Sequence, residues 1–201
     1  MADRLTRDRN GSDLSRTTVA RAAAIAEQLH HECSILLELY KTQESLTEDI
    51  TIADSRLVSI PSPSSQSDTK DKLWCLHSAL LQCRSLLERA IAREEQDLGS
   101  ENRGEYETQK KMVKERLSLL LINTGELLKA VDGMAVLTPN SEGLELDGPN
   151  LFDLKIWVYR IFKEVDYWTK MAITTLQDLP SVIVKERVRT TRVRSTRSTR
   201  R

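Results

Sequence analysis

Apolar residues return at intervals of three and four along four stretches of this chain, and each stretch reads as an amphipathic helix. In the first, over about residues 17–43, Ala22, Ile25, Ala26, Leu29, Cys33, Leu36 and Leu39 or Tyr40 form one stripe, with Thr17 or Thr18 as N-cap. Next, Ile60-Pro61-Ser62-Pro63-Ser64-Ser65-Gln66-Ser67 can hold neither a helix nor a central strand. A second stripe starts after Asp68 with Leu73, Leu76, Leu80, Cys83, Leu87, Ala90 and Ile91. It is expected to end at Gly99, because glycine takes the left-handed backbone that closes many helices. Asn102 and Glu105 then have the spacing of a capping box. The third stripe is Val113, Leu117, Leu120, Leu121, Thr124, Leu128 and Val131, stopping at Asp132-Gly133. Asn150 caps the fourth, which carries Leu154, Trp157, Ile161, Val165, Trp168, Ala172, Leu176 and Leu179 and is expected to halt at Pro180.

The link lengths turn four helices into an expected topology. Each helix is about 40 Å long at 1.5 Å per residue. The second link, about five residues, reaches only about 17 Å, so the helices it joins must be antiparallel neighbours. The first and third links, about 25 and 17 residues, can each span about 55 Å or more, enough to join parallel helices. Long, short, long predicts an all-α, up-up-down-down long-chain four-helix bundle with two long crossover loops. The expected divisions are a flexible N-terminus at 1–14, the bundle at 15–180 and a basic disordered tail at 181–201.

Composition agrees with one helical domain. The 201 residues suffice for a continuous core, and aromatic residues are only 4%, leaving Leu, Glu, Lys, Arg and Ala to dominate. Charge adds something the periodicity does not show. The formal net charge is zero, yet residues 181–201 carry eight cations (Lys185, Arg187, Arg189, Arg192, Arg194, Arg197, Arg200 and Arg201) against Glu186, so 8 − 1 = +7. The preceding residues therefore total −7. The first residues lack the apolar run of a secretion signal, and the apolar stretch at 117–122 is too short to cross a bilayer. Cys33, Cys75 and Cys83 read as buried reduced thiols, as in a protein made in the cytosol. Asn10-Gly11-Ser12 has the glycosylation pattern, but without an entry signal it is not expected to meet the enzyme.

Catalytic chemistry has little to stand on. Neither a glycine-rich phosphate loop, a His-Glu-x-x-His, a Cys-x-x-Cys nor a nucleophile elbow occurs. His30 and Cys33 stand one turn apart and His77 could face them from another helix, but a fourth ligand is not identifiable. The expectation is no enzyme, no cofactor and no metal.

The fourth helix carries a resemblance. Leu151-Phe152-Asp153-Leu154-Lys155-Ile156-Trp157, then Trp168-Thr169 and Asp178-Leu179, is similar to the last helix of the ciliary neurotrophic factor family of four-helix-bundle cytokines. Val131-Asp132-Gly133-Met134 resembles the family's Asp-Gly-Met stretch after the third helix, and the lack of a secretion signal agrees. The resemblance covers about residues 15–180, and its most specific part is the fourth helix. It implies a growth factor that leaves the cytosol by an unconventional route. Such a ligand assembles a specificity receptor (the ciliary neurotrophic factor receptor), the leukaemia inhibitory factor receptor and a shared signal-transducing receptor, driving JAK/STAT signalling and neuronal survival. A Phe-x-x-Lys pair at the start of the family's fourth helix docks the leukaemia inhibitory factor receptor, which assigns that contact to Phe152 and Lys155.

Physical chemistry allows the assignment, since positions three apart share a helix face and an aromatic anchor beside a cation is a common hot-spot composition. The plainer alternative has Phe152 plugging the end of the core and Lys155 in solvent. Trp157 and Trp168 fall on the apolar stripe and read as core, while Trp74 is divided evenly between core end and contact residue. Further candidate receptor contacts, chosen for expected exposure, are Arg21, Gln28, Lys114 and Lys170. In the tail, Arg187, Arg189, Arg192, Arg194, Arg197, Arg200 and Arg201 are candidates for contact with a polyanion such as heparan sulfate. The competing reading is an intracellular helical adaptor that binds polyanions or nucleic acid through this tail, although no aromatic residues interleave for base stacking. No membrane insertion is expected.

Overall fold

The computed structural model describes residues 3–46, 56–64, 66–97, 104–131 and 150–195, with side chains placed within these ranges from Arg16 to Leu179. Four helices account for nearly all of them: α1 (Asp3–Glu44), α2 (Thr69–Asp97), α3 (Gly104–Ala130) and α4 (Leu151–Ser195). No strand occurs among the described residues.

Local chemistry explains several boundaries. Asp71 N donates to Asp68 Oδ1 at 2.7 Å at the start of α2, and Phe152 N donates to Asn150 Oδ1 at 3.1 Å at the start of α4. These side chains supply acceptors for amides that have no partner within the first turn. α1 ends on a six-to-one bond, Leu46 N to Lys41 O at 3.0 Å, made possible by the left-handed φ of 52° at Ser45. The expected signals at Gly99, Asn102 and Asp132-Gly133 lie outside the described residues.

Two boundaries differ from expectation. α1 starts at Asp3 rather than near Thr17, so helix replaces most of the expected flexible N-terminus. α4 passes through Pro180 to Ser195, so residues 181–195 are helical instead of irregular. Proline within a helix costs about 3 kcal/mol through its missing N–H and its clash with a preceding carbonyl. Beyond it the chain is rich in Arg, Lys and Glu, whose unbranched side chains favour continued helix.

α1 packs against α3 and α4, and α2 packs against the same two, while α1 does not meet α2 and α3 does not meet α4 among the described residues. This is a four-helix bundle with α1 and α2 on one diagonal. Almost every predicted stripe residue is in the common core, and Ile25, Leu39, Ile91 and Val131 lie half-buried at its margin. Val58, Val158 and Phe162 join it. Tyr40, rather than Leu39, is buried, and its ring meets Phe162 edge-on at 5.2 Å and Tyr106 at 5.7 Å. Trp157 and Trp168 are buried as expected.

Cross-helix polar contacts fix the register of each pair. Gln177 Nε2 donates to Glu27 Oε1 at 3.3 Å, and Tyr40 Oη donates to the Lys155 carbonyl at 3.1 Å. Gln109 Nε2 donates to the Glu32 carbonyl, and Arg116 forks onto the Glu32 carboxylate at 2.9 and 3.1 Å. On the other side, His77 Nδ1 meets Thr124 Oγ1 at 2.9 Å, and Glu94 accepts from Tyr106 Oη at 2.8 Å. Residues 56–64 cross α2 and α4: Val58 N donates to Glu164 at 3.4 Å, Ser59 N donates to Gln82 at 3.1 Å, and Ser62 Oγ meets Tyr167 Oη at 2.9 Å.

Candidate functional site

Asn150 sets the backbone at the start of α4, and the residues immediately after it are turned outward. Leu151 is 51% exposed and Phe152 55% exposed, while the core face begins with Leu154. Phe152 therefore does not plug the core. Two adjacent apolar side chains in water cost hydration free energy that a folded chain ordinarily recovers by burial, so they mark a contact surface. Lys155 lies one turn on, and its Nζ pairs with Glu44 Oε2 at 2.8 Å. The lysine is thus fixed against the end of α1, and its charge is already shared with a carboxylate that is 5% exposed. The expected Phe152–Lys155 pairing on one face holds, with Leu151 as an added member. Its signal was in the sequence, an apolar residue placed ahead of the first core position.

A second apolar surface lies on α3. Met112, Leu119 and Ile122 are exposed, Ile122 at 59%. They stand between Lys114, which reaches toward Glu88 of α2 at 3.9 Å, and Arg116, which is held by Glu32 of α1. On α1, Arg21, Gln28 and Ile35 recur every seven residues and are all exposed. Gln28 lies four residues before Glu32, the residue bonded to α3, so this row is on the α3 side of α1. The fold thereby brings Arg21 and Gln28 to the same side of the bundle as the exposed row of α3. Ile35, Met112, Leu119 and Ile122 were missed because a helix as apolar as α3 offers several residues that periodicity alone assigns to no face.

The remaining candidates are dispersed. Lys114 is half-buried in its ion pair on the α2 side. Lys170 is exposed and pairs with Asp166 at 2.8 Å, whose other oxygen meets His30 Nδ1 at 2.7 Å. Trp74 is half-buried against the core. The arginines at 187, 189, 192 and 194 lie on the helical continuation of α4, and those at 197, 200 and 201 lie outside the described residues.

Interior polar groups are committed to structure. Lys110, 2% exposed, pairs with Glu94 at 3.0 Å and Glu107 at 2.8 Å. Burial, then the Glu94 charge and hydrogen bond, drive the Tyr106 hydroxyl far above its ordinary range, so it stays protonated and donates. Burial pushes both Cys33 and Cys83 upward, with nearby carboxylates adding to the effect, which leaves them unreactive. Cys75 differs from expectation in being half-buried, and its thiol is raised by burial and then by Asp71. His77 is engaged by Thr124 across the α2–α3 contact, and His30 by Asp166 on α4, so these side chains do not converge with Cys33. Among the described residues no three His, Cys, Asp or Glu side chains are grouped to hold a metal ion, and no helix is long and apolar enough to cross a membrane.

A comparison with known protein families and with curated proteins finds no match to this chain.

Proposed function

We propose that this chain is a signalling ligand of the ciliary neurotrophic factor type, an up-up-down-down bundle that draws receptor chains together at the cell surface. The exposed Leu151-Phe152 pair beside Lys155 carries the reading. It sits where the resemblance puts the docking site for the leukaemia inhibitory factor receptor, and the folded chain itself gives it no apolar cover. The α1–α3 surface formed by Arg21, Gln28, Ile35, Met112, Leu119 and Ile122 supplies a second face for another receptor chain. Because α3 and α4 lie on a diagonal, the two surfaces look in different directions. A rigid body with separated faces is what is needed to bring kinases bound to different receptors into reach of one another.

Contacts support the helix order. Glu27 meets Gln177 and Glu44 meets Lys155, so α1 runs against α4. Tyr40 meets Tyr106 and Glu32 meets Arg116, so α1 also runs against α3. His77 with Thr124 and Glu94 with Tyr106 set α2 against α3. α1 and α2 then share one sense, and α3 and α4 the other. Segment 56–64, fastened midway along α2 and α4, fits a first crossover that runs along the bundle. Synthesis in the cytosol and release by an unconventional route complete the reading.

The test is receptor-dependent phosphorylation of the downstream transcription factor on cells bearing the three receptors. Phe152→Ala is the cleaner variant, since Lys155→Ala would strand the Glu44 carboxylate. Truncation of an exposed side chain should change stability by less than about 0.5 kcal/mol. Loss of a hot-spot aromatic should weaken receptor binding by about 2 kcal/mol or more, roughly thirtyfold. Native chain that signals, with Phe152→Ala folded and bound to the specificity receptor but silent, supports the proposal. A native chain that neither binds nor signals sinks it.

A further inference from the structure

We infer that the C-terminal continuation of α4 is a binding segment for sulfated polysaccharide of the kind displayed on cell surfaces. Leu179 is the last core residue described on α4, yet the helix runs on to Ser195. This continuation is the most cationic part of the molecule. Residues 181–201 total 8 − 1 = +7 while all preceding residues total 22 − 29 = −7, so a polyanion is drawn to one end and repelled elsewhere. The helix also orders the charges. Lys185, Arg189 and Arg192, at intervals of four and three, share one face. Arg187 and Arg194, seven apart, share another about 200° around the axis from Lys185.

This distribution selects among polyanions. An anionic membrane favours a helix with a basic side and a broad apolar side, whereas here cations occupy opposed faces. Single-stranded nucleic acid is gripped by aromatic residues stacking on bases, and residues 181–201 contain no Phe, Trp or Tyr. A flexible chain of sulfate and carboxylate groups can wrap the helix and use both rows. Seven of the eight cations are arginine, whose planar fork matches oxyanions at two points. Among polyanions, the choice of an extracellular one rests on the ligand reading above.

The experiment is retention of the full chain on immobilised heparin across a salt series. It runs beside a quadruple variant (Arg187→Gln, Arg189→Gln, Arg192→Gln and Arg194→Gln) and a chain ending at Leu179. Glutamine keeps helix propensity, so the quadruple variant removes charge without asking the helix to unfold. By analogy with proteins that neutralise several phosphates, full-chain affinity should fall by about a thousandfold between 50 and 200 mM salt. The quadruple variant should bind at least about tenfold more weakly with a shallower salt slope, since fewer counterions are released. The shortened chain should pass through. Heparin binding that survives in the shortened chain overturns the inference. So does tighter binding of the full chain to single-stranded DNA or to phosphatidylserine vesicles than to heparin. Signalling is read separately on receptor-bearing cells: a shortened chain that signals yet ignores heparin supports the tail assignment, and tail-dependent heparin binding by a silent native chain would sink only the receptor reading.

Discussion

Gly125 and His77 show how one residue can be explained only through its neighbour. A Cβ built on Gly125 would lie 3.3 Å from His77 Cε1, and His77 is held in place by its 2.9 Å bond to Thr124. Alanine in a helix interior is ordinarily better than glycine by about 1 kcal/mol. Gly125→Ala should therefore give no gain in the native chain, but about 1 kcal/mol of stabilisation in a His77→Ala background, measured by urea unfolding. The same histidine has a pH signature. Burial lowers its pKa below 6.5, so the unfolded chain takes up the proton first as pH falls. Stability from the neutral imidazole is present above the unfolded pKa and is lost as pH drops through the lowered folded one. The loss in melting temperature between pH 7.5 and 5.0 should shrink in His77→Asn. An unchanged loss would mean that other groups carry the acid sensitivity.

At the scale of elements, most of the bundle was legible because burial imposes its own period on the sequence. The α4 stripe from Leu154 to Leu179 is buried at every predicted position. The end of α1 was not legible, since Ser45 adopts a left-handed φ that glycine would have advertised. Pro180 misled for the opposite reason, a strong stop signal overridden by its surroundings. The receptor-facing candidates were half legible: Phe152 came from its motif, whereas Met112, Leu119 and Ile122 could be sorted from the core only once the helix faces were known. The α2–α3 contact also hides a charged cluster that no periodicity announces. Lys110 and Glu94 are each 2% exposed, with Tyr106 donating to the same carboxylate. Lys110→Met alone leaves that carboxylate buried without its cation and should cost about 3–5 kcal/mol. Adding Glu94→Gln, which keeps an acceptor for Tyr106, should restore most of the loss in a denaturant titration. A double variant no more stable than the single one would show that the pair itself is required.

For the whole molecule, the two exposed apolar surfaces make a prediction that neither makes alone. If each engages a different receptor chain, spoiling one leaves a ligand that occupies a receptor without completing the complex. Leu119→Arg with Ile122→Glu changes only exposed side chains, so folding should be retained. This variant should fail to signal and should shift the native dose–response curve rightward when added in excess. A variant that signals normally would remove the α1–α3 surface from the account.

The diagonal placement of α1 and α2 has a consequence in time. α1 meets only α3 and α4, and its bonds to α4 join residues 115, 136 and 150 positions apart. Helical proteins usually fold fast because their contacts are local, and closing long loops before any contact forms slows the search. This bundle should fold more slowly than an up-and-down bundle of equal length. On the ribosome, the first helix to emerge finds no partner in the second. Its apolar stripe must stay uncovered until α3 appears, which makes the interval between them the moment of greatest exposure to aggregation.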